Sequence, residues 1–199
     1  QRQRIAIARA LALDPEFGHA WNSKAIALIG LSRWKEAEEC ARAALEIDAD
    51  DEGASNLLAH TLRIQNRLDE SEEESRRRLA RNPENAFSFA NAGWSALQRG
   101  DIKGAENHFK ESLRIDPEME HARTGLKQSY RARSAFFRVF LKWSFFMQRF
   151  SQNNRMAIII GLVIGFKLLR PLAASVHPLL VIPVALVYFL FVFGSWLSD

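Results

Sequence analysis

Five histidines and one cysteine are the side chains best suited to metal or nucleophilic chemistry. A zinc site uses His or Cys ligands at short, fixed spacings, such as two His at i and i+4. The histidines never pair at that spacing with each other or with the cysteine; the residues are His19, His60, His108, His121, His177 and Cys40. No serine lies beside a plausible base, and no pair of carboxylates stands in an apolar setting. We therefore expect no metal site, no cofactor and no enzymatic activity.

Residues 1–11, QRQRIAIARAL, resemble the tail of the ABC-transporter ATPase signature. An ATPase also needs a Gly-rich phosphate loop with Lys and Ser/Thr, and an apolar strand ending in an acid that holds Mg²⁺. The chain has no G-x-x-x-x-G-K-[ST], and residues 17–24 read FGHAWNSK where that strand would stand. Ile7, Ala10 and Leu11 instead fall on one face of a helix. We interpret this stretch as half of a helical repeat.

Charge divides the chain near residue 130. Residues 1–130 contain 19 Lys or Arg and 22 Asp or Glu. Residues 131–199 contain 8 Lys or Arg and only 1 Asp or Glu. A nucleic-acid-binding domain carries a basic stripe on its folded part. Since residues 1–130 have no basic excess, we expect no nucleic-acid partner. The single cysteine excludes an intrachain disulfide.

A short motif returns four times at one constant spacing: LALDPE at 11–16, LEIDAD at 45–50, LARNPE at 79–84 and LRIDPE at 113–118. Proline cannot continue a helix interior, so the three motifs that contain it mark corners between two helices. The second motif has Ala49 in place of Pro and falls at the same phase. Between the corners, two amphipathic helices are predicted in each unit. Small side chains recur where two helix axes must approach closely; they are Ala25, Ala59 and Gly93 in the first helices, and Ala37, Ser71 and Ala105 in the second.

This pattern resembles the tetratricopeptide repeat (TPR) family, whose unit of about 34 residues reads W-x2-L-G-x2-Y, then A-x3-F, then P. The third unit matches best, through Phe89, Gly93 and Phe109, and the middle unit matches least because Arg78 replaces a small residue. The resemblance implies an all-α, TPR-type helix-turn-helix solenoid over residues 1–130. It comprises a partial repeat at 1–17, repeats at 18–51, 52–85 and 86–119, and a closing helix from 120. A generic helical bundle is the alternative.

In the TPR family, the first helix of each repeat lines a concave groove that binds a peptide or helix of a partner protein. Side chains off the packing face of each first helix must point into that groove, because neighbouring repeats cover the rest. Trp94 is the best candidate for an anchor, unless it packs against the next repeat. The chain has no Lys pair of the kind that clamps a C-terminal carboxylate in some family members. The predicted groove residues are His19, Asn22, Ile26, Asn56, His60, Arg63, Asn91, Trp94 and Gln98.

The C-terminal third has the composition of a membrane segment. Residues 131–155 carry six basic residues, no acid and many aromatic rings, which predicts an amphipathic helix on an anionic bilayer; a final repeat helix is the alternative. Residues 178–197 form a run of 20 without a charge, long enough to span a bilayer. Residues 156–170 predict a shorter span or a half-inserted helix, and we favour a transmembrane hairpin. The predicted membrane-interface residues are Arg138, Lys142, Trp143, Arg149, Arg155, Lys167, Arg170 and Trp196.

Six basic residues before the first predicted span, against two in the turn, place the repeats in the cytosol. The short loops and the absence of an apolar leader favour a bacterial inner membrane, and we interpret the chain as a fragment of a longer protein. The function expected is that of a membrane-tethered adaptor for a protein partner. The alternative is a docking subunit of a transport or translocation assembly in which the hairpin is functional. Homo-oligomerisation stays open.

Overall fold

A computed structural model describes residues 18–150 and eight further positions between 154 and 167. Within residues 18–150 every regular element is an α-helix. The helices are α1 Gly18–Gly30, α2 Trp34–Ile47, α3 Glu52–Ile64, α4 Leu68–Arg81, α5 Ala86–Arg99, α6 Ile102–Ile115, α7 Glu120–Arg131 and α8 Ala135–Gln148. The first helices α1, α3, α5 and α7 therefore begin one repeat period apart. The predicted all-α solenoid is confirmed for residues 18–130, the described part of the predicted range.

The turn inside each repeat places one residue in the left-handed region. Ser32, Asn66 and Gly100 have φ values of 56°, 66° and 95° and hold the same position in three successive repeats. Glycine adopts this conformation without strain and asparagine tolerates it, whereas serine is less suited to it. The left-handed residue lies one or two positions after the end of each first helix and turns the chain into the second.

The corners between repeats are held by side chains that cap the next first helix. The Asp51 carboxylate accepts a hydrogen bond from the Ala54 backbone N–H at 2.9 Å, and the Asn85 side chain accepts one from Ser88 at 2.8 Å. Each cap satisfies a backbone donor that the helix leaves unpaired. Met119 occupies the third equivalent position and makes no side-chain cap. In two of the three corners, the residue that follows the motif thus starts the next helix.

Phe109 fills the contact between the third repeat and the closing helix. Its side chain is fully buried. A Cβ atom built on Gly93 would lie 2.7 Å from the ring, and one on Gly125 would lie 2.3 Å from it. Both glycines are therefore required by the close approach of a large ring to two helix backbones.

The second helix of the middle repeat, α4, buries polar side chains that form hydrogen bonds. The Ser71 hydroxyl donates to the Ala59 carbonyl oxygen at 2.7 Å and lies 3.0 Å from the Ser95 hydroxyl. The buried Arg78 side chain donates to the Asp50 carbonyl oxygen at 3.0 Å and pairs with Glu52. The arginine that departs from the family pattern thus ties α4 to the preceding corner.

An ion pair links each repeat to the next. A glutamate at the same position in the first turns of each second helix pairs with an arginine of the following repeat. The pairs are Glu38–Arg67 at 2.7 Å, Glu72–Arg99 at 2.5 Å and Glu106–Arg133 at 2.8 Å. Around Glu38, burial opposes the charged form, but hydrogen bonds from Gln65, Arg42 and Arg67 outweigh it and lower the pKa of the carboxyl. These contacts fix the register of one repeat on the next.

A boundary between two compact units falls within α8, after Arg138. Among the described residues, no helix combines the length and apolar character needed to cross a bilayer. The predicted span at 178–197, and part of the one at 156–170, lie outside the described part of the chain. The same holds for the partial repeat at 1–17 and for Arg155, Arg170 and Trp196. Lys167 is described, in helical conformation and exposed.

Candidate protein-docking surface

The first helices form one continuous layer, because α1 contacts α3, α3 contacts α5 and α5 contacts α7. We call the side chains on this layer the first-helix surface. Its four helices carry six Lys or Arg and only two Asp or Glu. The second helices α2, α4 and α6 together carry nine Lys or Arg and eleven Asp or Glu. Acidic side chains are thus concentrated on the second helices. The first helices therefore carry a net positive charge.

Asparagines on the first-helix surface join neighbouring repeats. Asn22 Nδ2 donates to the Asp51 carboxylate at 2.6 Å, so the cap of α3 also holds α1. Asn56 accepts from the Ser88 hydroxyl at 3.1 Å through its side chain, and from Asn91 Nδ2 at 3.2 Å through its backbone carbonyl. These contacts make the predicted groove asparagines part of the framework of the surface.

Arg63 lies at the centre of this surface and is only 3% exposed. Its guanidinium carbon lies 5.6 Å from the centroid of the Trp94 ring. One terminal nitrogen donates to Gln98 Oε1 at 3.4 Å, and the other lies 3.5 Å from His60 Nδ1. Arg63 Nε is buried and has no hydrogen-bond partner. Among the ion pairs within residues 18–150, none includes Arg63.

Two histidine rings complete the cluster. The His121 ring lies 5.3 Å from that of Trp94 and 6.5 Å from that of His60, centroid to centroid. Trp94 Nε1 donates to the His121 carbonyl oxygen at 3.3 Å. We call His60, Arg63, Trp94 and His121 the arginine cluster. It joins α3, α5 and α7, and so spans three successive repeats.

Burial sets the charge states in the arginine cluster. Loss of solvent lowers the pKa of Arg63 to about 10, which still leaves it protonated at neutral pH. Burial, reinforced by the positive charge of Arg63 and by His121, lowers the pKa of His60 to about 3. Burial and then Arg63 lower the pKa of His121 to about 4. At neutral pH the cluster therefore holds one cation and two neutral imidazoles.

The structure separates the predicted groove residues into three groups by exposure. Trp94 is only 7% exposed and packs between repeats, so it does not offer a free ring as expected of an anchor. Arg63 and Asn91 are also buried, because the first helices approach each other closely. His19 and Ile26 are exposed, and the other predicted positions are half-buried; these are Asn22, Asn56, His60 and Gln98.

Phe87 is a surface residue that the sequence interpretation left out. Its ring is 54% exposed near the start of α5. It is the second residue of its helix, the position that His19 and His121 hold in α1 and α7. That shared phase is the sequence signal that would have identified it. A large exposed aromatic ring suits contact with a partner better than the buried Trp94 does.

The membrane-interface prediction falls partly on α8. Arg138 and Lys142 are exposed, while Trp143 and Arg149 are half-buried. Within the described part of the chain, no group of three or more His, Cys, Asp or Glu side chains is placed to hold a metal ion. Cys40 is a free thiol, and burial, its largest influence, raises the pKa of that thiol.

Residues 18–51 match the family model of the tetratricopeptide repeat. The described helices have the TPR fold. No curated protein matches the chain significantly. The similarity to solved TPR structures extends beyond the repeat matched by the family model.

Three solved structures illustrate this similarity, each at low sequence identity, so that they inform on the fold alone. The Pseudomonas aeruginosa pilF structure is 21% identical, with a TM-score of 0.57 over 98% of this chain and 84% of its own. The first TPR of Spaghetti (RPAP3) bound to the HSP90 peptide SRMEEVD is 14% identical, with a TM-score of 0.52, and the match covers 58% of this chain and 92% of that one. YrrB, a TPR protein with an unusual peptide-binding site, is 14% identical, with a TM-score of 0.52, and the match covers 72% of this chain and 74% of that one.

Proposed function

We propose that this chain is a scaffold whose first-helix surface docks a segment of a partner protein that supplies a carboxylate to Arg63. The observation that carries the proposal is the buried guanidinium without an opposite charge. A charge removed from water is costly unless an opposite charge or several hydrogen bonds compensate it. Apart from its contact with the Trp94 ring, the Arg63 guanidinium has only long contacts to Gln98 and His60, and its Nε has no hydrogen-bond partner. An incoming carboxylate supplies the missing acceptor.

Because Arg63 is only 3% exposed, a carboxylate reaches its guanidinium only when the Gln98 side chain releases it and moves aside. Gln98 is half-buried, and its amide also donates to Asn66 at 3.2 Å, so its side chain has a second anchor when it releases the guanidinium. An arginine binds a carboxylate through two parallel hydrogen bonds, which are stronger than bonds to a neutral amide. The acid-poor first helices favour the approach of a negative segment. The exposed ring of Phe87 offers contact area on the same layer.

Two solved TPR structures of the same fold support peptide docking as the mode of binding, one through its bound peptide and the other through its described peptide-binding site. We further propose that the C-terminal third tethers the scaffold to a membrane, with the repeats in the cytosol. The uncharged run at 178–197 and the basic excess of residues 131–155 support the tether. A tether confines the bound partner to the bilayer surface and raises its effective concentration.

The test compares two arginine variants in a quantitative capture from solubilised membranes. Arg63→Gln removes the buried charge but keeps hydrogen-bonding groups. Arg99→Gln is the matched control, because Arg99 also lies on a first helix but is exposed and paired with Glu72 and Asp69. We expect Arg63→Gln to reduce recovery of the specific partner at least tenfold and Arg99→Gln to leave it unchanged.

Identical partner profiles for the unmodified chain and Arg63→Gln, with both folded by circular dichroism, would refute the role of Arg63. The tether is tested separately by extraction of native membranes with alkaline carbonate. A chain released into the aqueous fraction would exclude an integral anchor. That result would leave the docking surface unaffected.

A further inference from the structure

We propose that one face of α8 is a binding surface for anionic phospholipid, in addition to any membrane insertion by the residues that follow. This inference rests on the proposed membrane tether. The surface consists of an apolar row, Val139, Trp143, Phe146 and Phe150, and a basic row beside it, Lys142 and Arg149. The two rows make contact with a bilayer at two depths.

The apolar row follows from helical spacing. At 100° per residue, positions 139, 143, 146 and 150 fall within an arc of about 60°. The centroids of the Trp143 and Phe146 rings lie 5.7 Å apart, and those of Phe146 and Phe150 lie 5.2 Å apart. Val139 is 59% exposed and Phe146 is 41% exposed. Val139 and Phe146 thus present apolar surface outward, and the half-buried rings of Trp143 and Phe150 extend the same row.

Another side of the same helix is covered. Phe140, Leu141 and Phe145 are buried, at spacings of one and four residues. The helix therefore has two distinct apolar sides, one that is buried and one that includes exposed side chains. A helix with one buried apolar side and a second apolar row flanked by cations has two separate contacts to make.

The charge beside the apolar row selects the occupant. Lys142 is exposed, and the Arg149 guanidinium carbon lies 5.8 Å from the Phe146 ring centroid, at the junction of the two rows. Residues 131–155 contain no acid. A basic row attracts lipid phosphates, and aromatic rings favour the depth of the headgroups just below them. The adjoining apolar run at 156–166 places this helix next to the region that we expect to enter the bilayer.

The test uses the full chain with a single environment-sensitive label. Cys40→Ala removes the native thiol, and Val139→Cys receives the fluorophore. The labelled chain is reconstituted with vesicles of pure phosphatidylcholine or of seven parts phosphatidylcholine to three parts phosphatidylglycerol. We expect a shift of the emission to shorter wavelength, with quenching by shallow spin-labelled lipid, only in the anionic vesicles. Salt at about 0.5 M reverses the shift, because it shortens the screening length.

A second substitution tests the basic row. One Lys or Arg near an anionic surface strengthens association about fivefold, so Lys142→Gln should lower the ratio of lipid-buried to water-exposed label by about that factor. Asn107→Cys, at an exposed position of α6, is the control label and should report water in both vesicles. A label at Val139 that reports water in anionic vesicles, on a chain that floats with them, would overturn this proposal alone. A chain that floats with neither vesicle would overturn the tether as well.

Discussion

Arg63→Met tests whether the guanidinium of the arginine cluster is held at a cost to stability. Methionine keeps an unbranched apolar stem against Trp94 and removes the charge. The structure predicts that this variant is more stable than the unmodified chain, although it should bind the partner less well. A stabilising substitution at a fully packed position is unusual, since most substitutions destabilise by about 0.5–3 kcal/mol.

The magnitude follows from the burial of the charge. A pKa lowered from 12.5 to about 10 corresponds to roughly 3 kcal/mol of unfavourable free energy for the protonated form. The substitution loses a cation–π contact of about 0.5–1 kcal/mol with Trp94. It also loses the two long contacts to Gln98 and His60, at roughly 0.5 kcal/mol each. We therefore expect a net gain of about 1 kcal/mol in the free energy of unfolding.

Urea unfolding followed by circular dichroism in mild detergent measures this difference. The urea concentration at the unfolding midpoint should rise, while the dependence of the free energy of unfolding on urea concentration stays the same. Arg78→Met is the matched control, because Arg78 is also buried but pairs with Glu52 and the Asp50 carbonyl. We expect that control to lose about 2 kcal/mol, since it removes the charge-assisted contacts of a buried arginine. If Arg63→Met lost as much stability as Arg78→Met, the guanidinium would be a structural contact, and the argument for a carboxylate ligand would fail.

Three further predictions concern the repeats. Because His60 and His121 have pKa values of about 3 and 4, below the 6.5 of an exposed ring, the unfolded chain binds more protons as pH falls from 6.5. The free energy of unfolding in urea should therefore drop between pH 7 and pH 5 by up to about 2 kcal/mol per ring. Equal free energies of unfolding at the two pH values would contradict neutral rings in the folded chain. Gly125→Ala should destabilise by about 2–3 kcal/mol in thermal unfolding, because its Cβ would meet the Phe109 ring at 2.3 Å; a loss below about 0.5 kcal/mol would show that the ring can move. Ser32→Gly should stabilise by about 0.5–1 kcal/mol, because it relieves a left-handed serine, and a lower melting temperature would show that the serine side chain contributes more than its strain costs.

The sequence predicted the helices because their signals are local and repeated. The recurring corner motif, the small residues at fixed phase and the apolar spacing each constrain the same repeating unit. Agreement among independent signals is what makes such a prediction dependable. The left-handed turn positions Ser32, Asn66 and Gly100 share that phase too, although only the glycine identifies itself by residue type.

The exposure of the first-helix surface was harder to predict. Helical phase gives the direction of a side chain, but the distance between adjacent first helices decides whether it reaches solvent. Trp94 and Arg63 point along the predicted surface and are nevertheless buried, because each contacts a residue of the next repeat. The Glu38, Glu72 and Glu106 ion pairs were likewise missed, because their arginine partners do not all hold the same position in the following repeat.

The most direct test of a docking role for the first-helix surface is site-specific photocrosslinking in native membranes. A photoreactive amino acid replaces either Phe87, exposed on α5, or Lys110, exposed on α6. We predict a discrete adduct from position 87, absent from position 110 and lost when Arg63→Gln is added. Adducts from position 110 alone, or an adduct at position 87 that persists with Arg63→Gln, would contradict a partner held by this surface and its buried arginine.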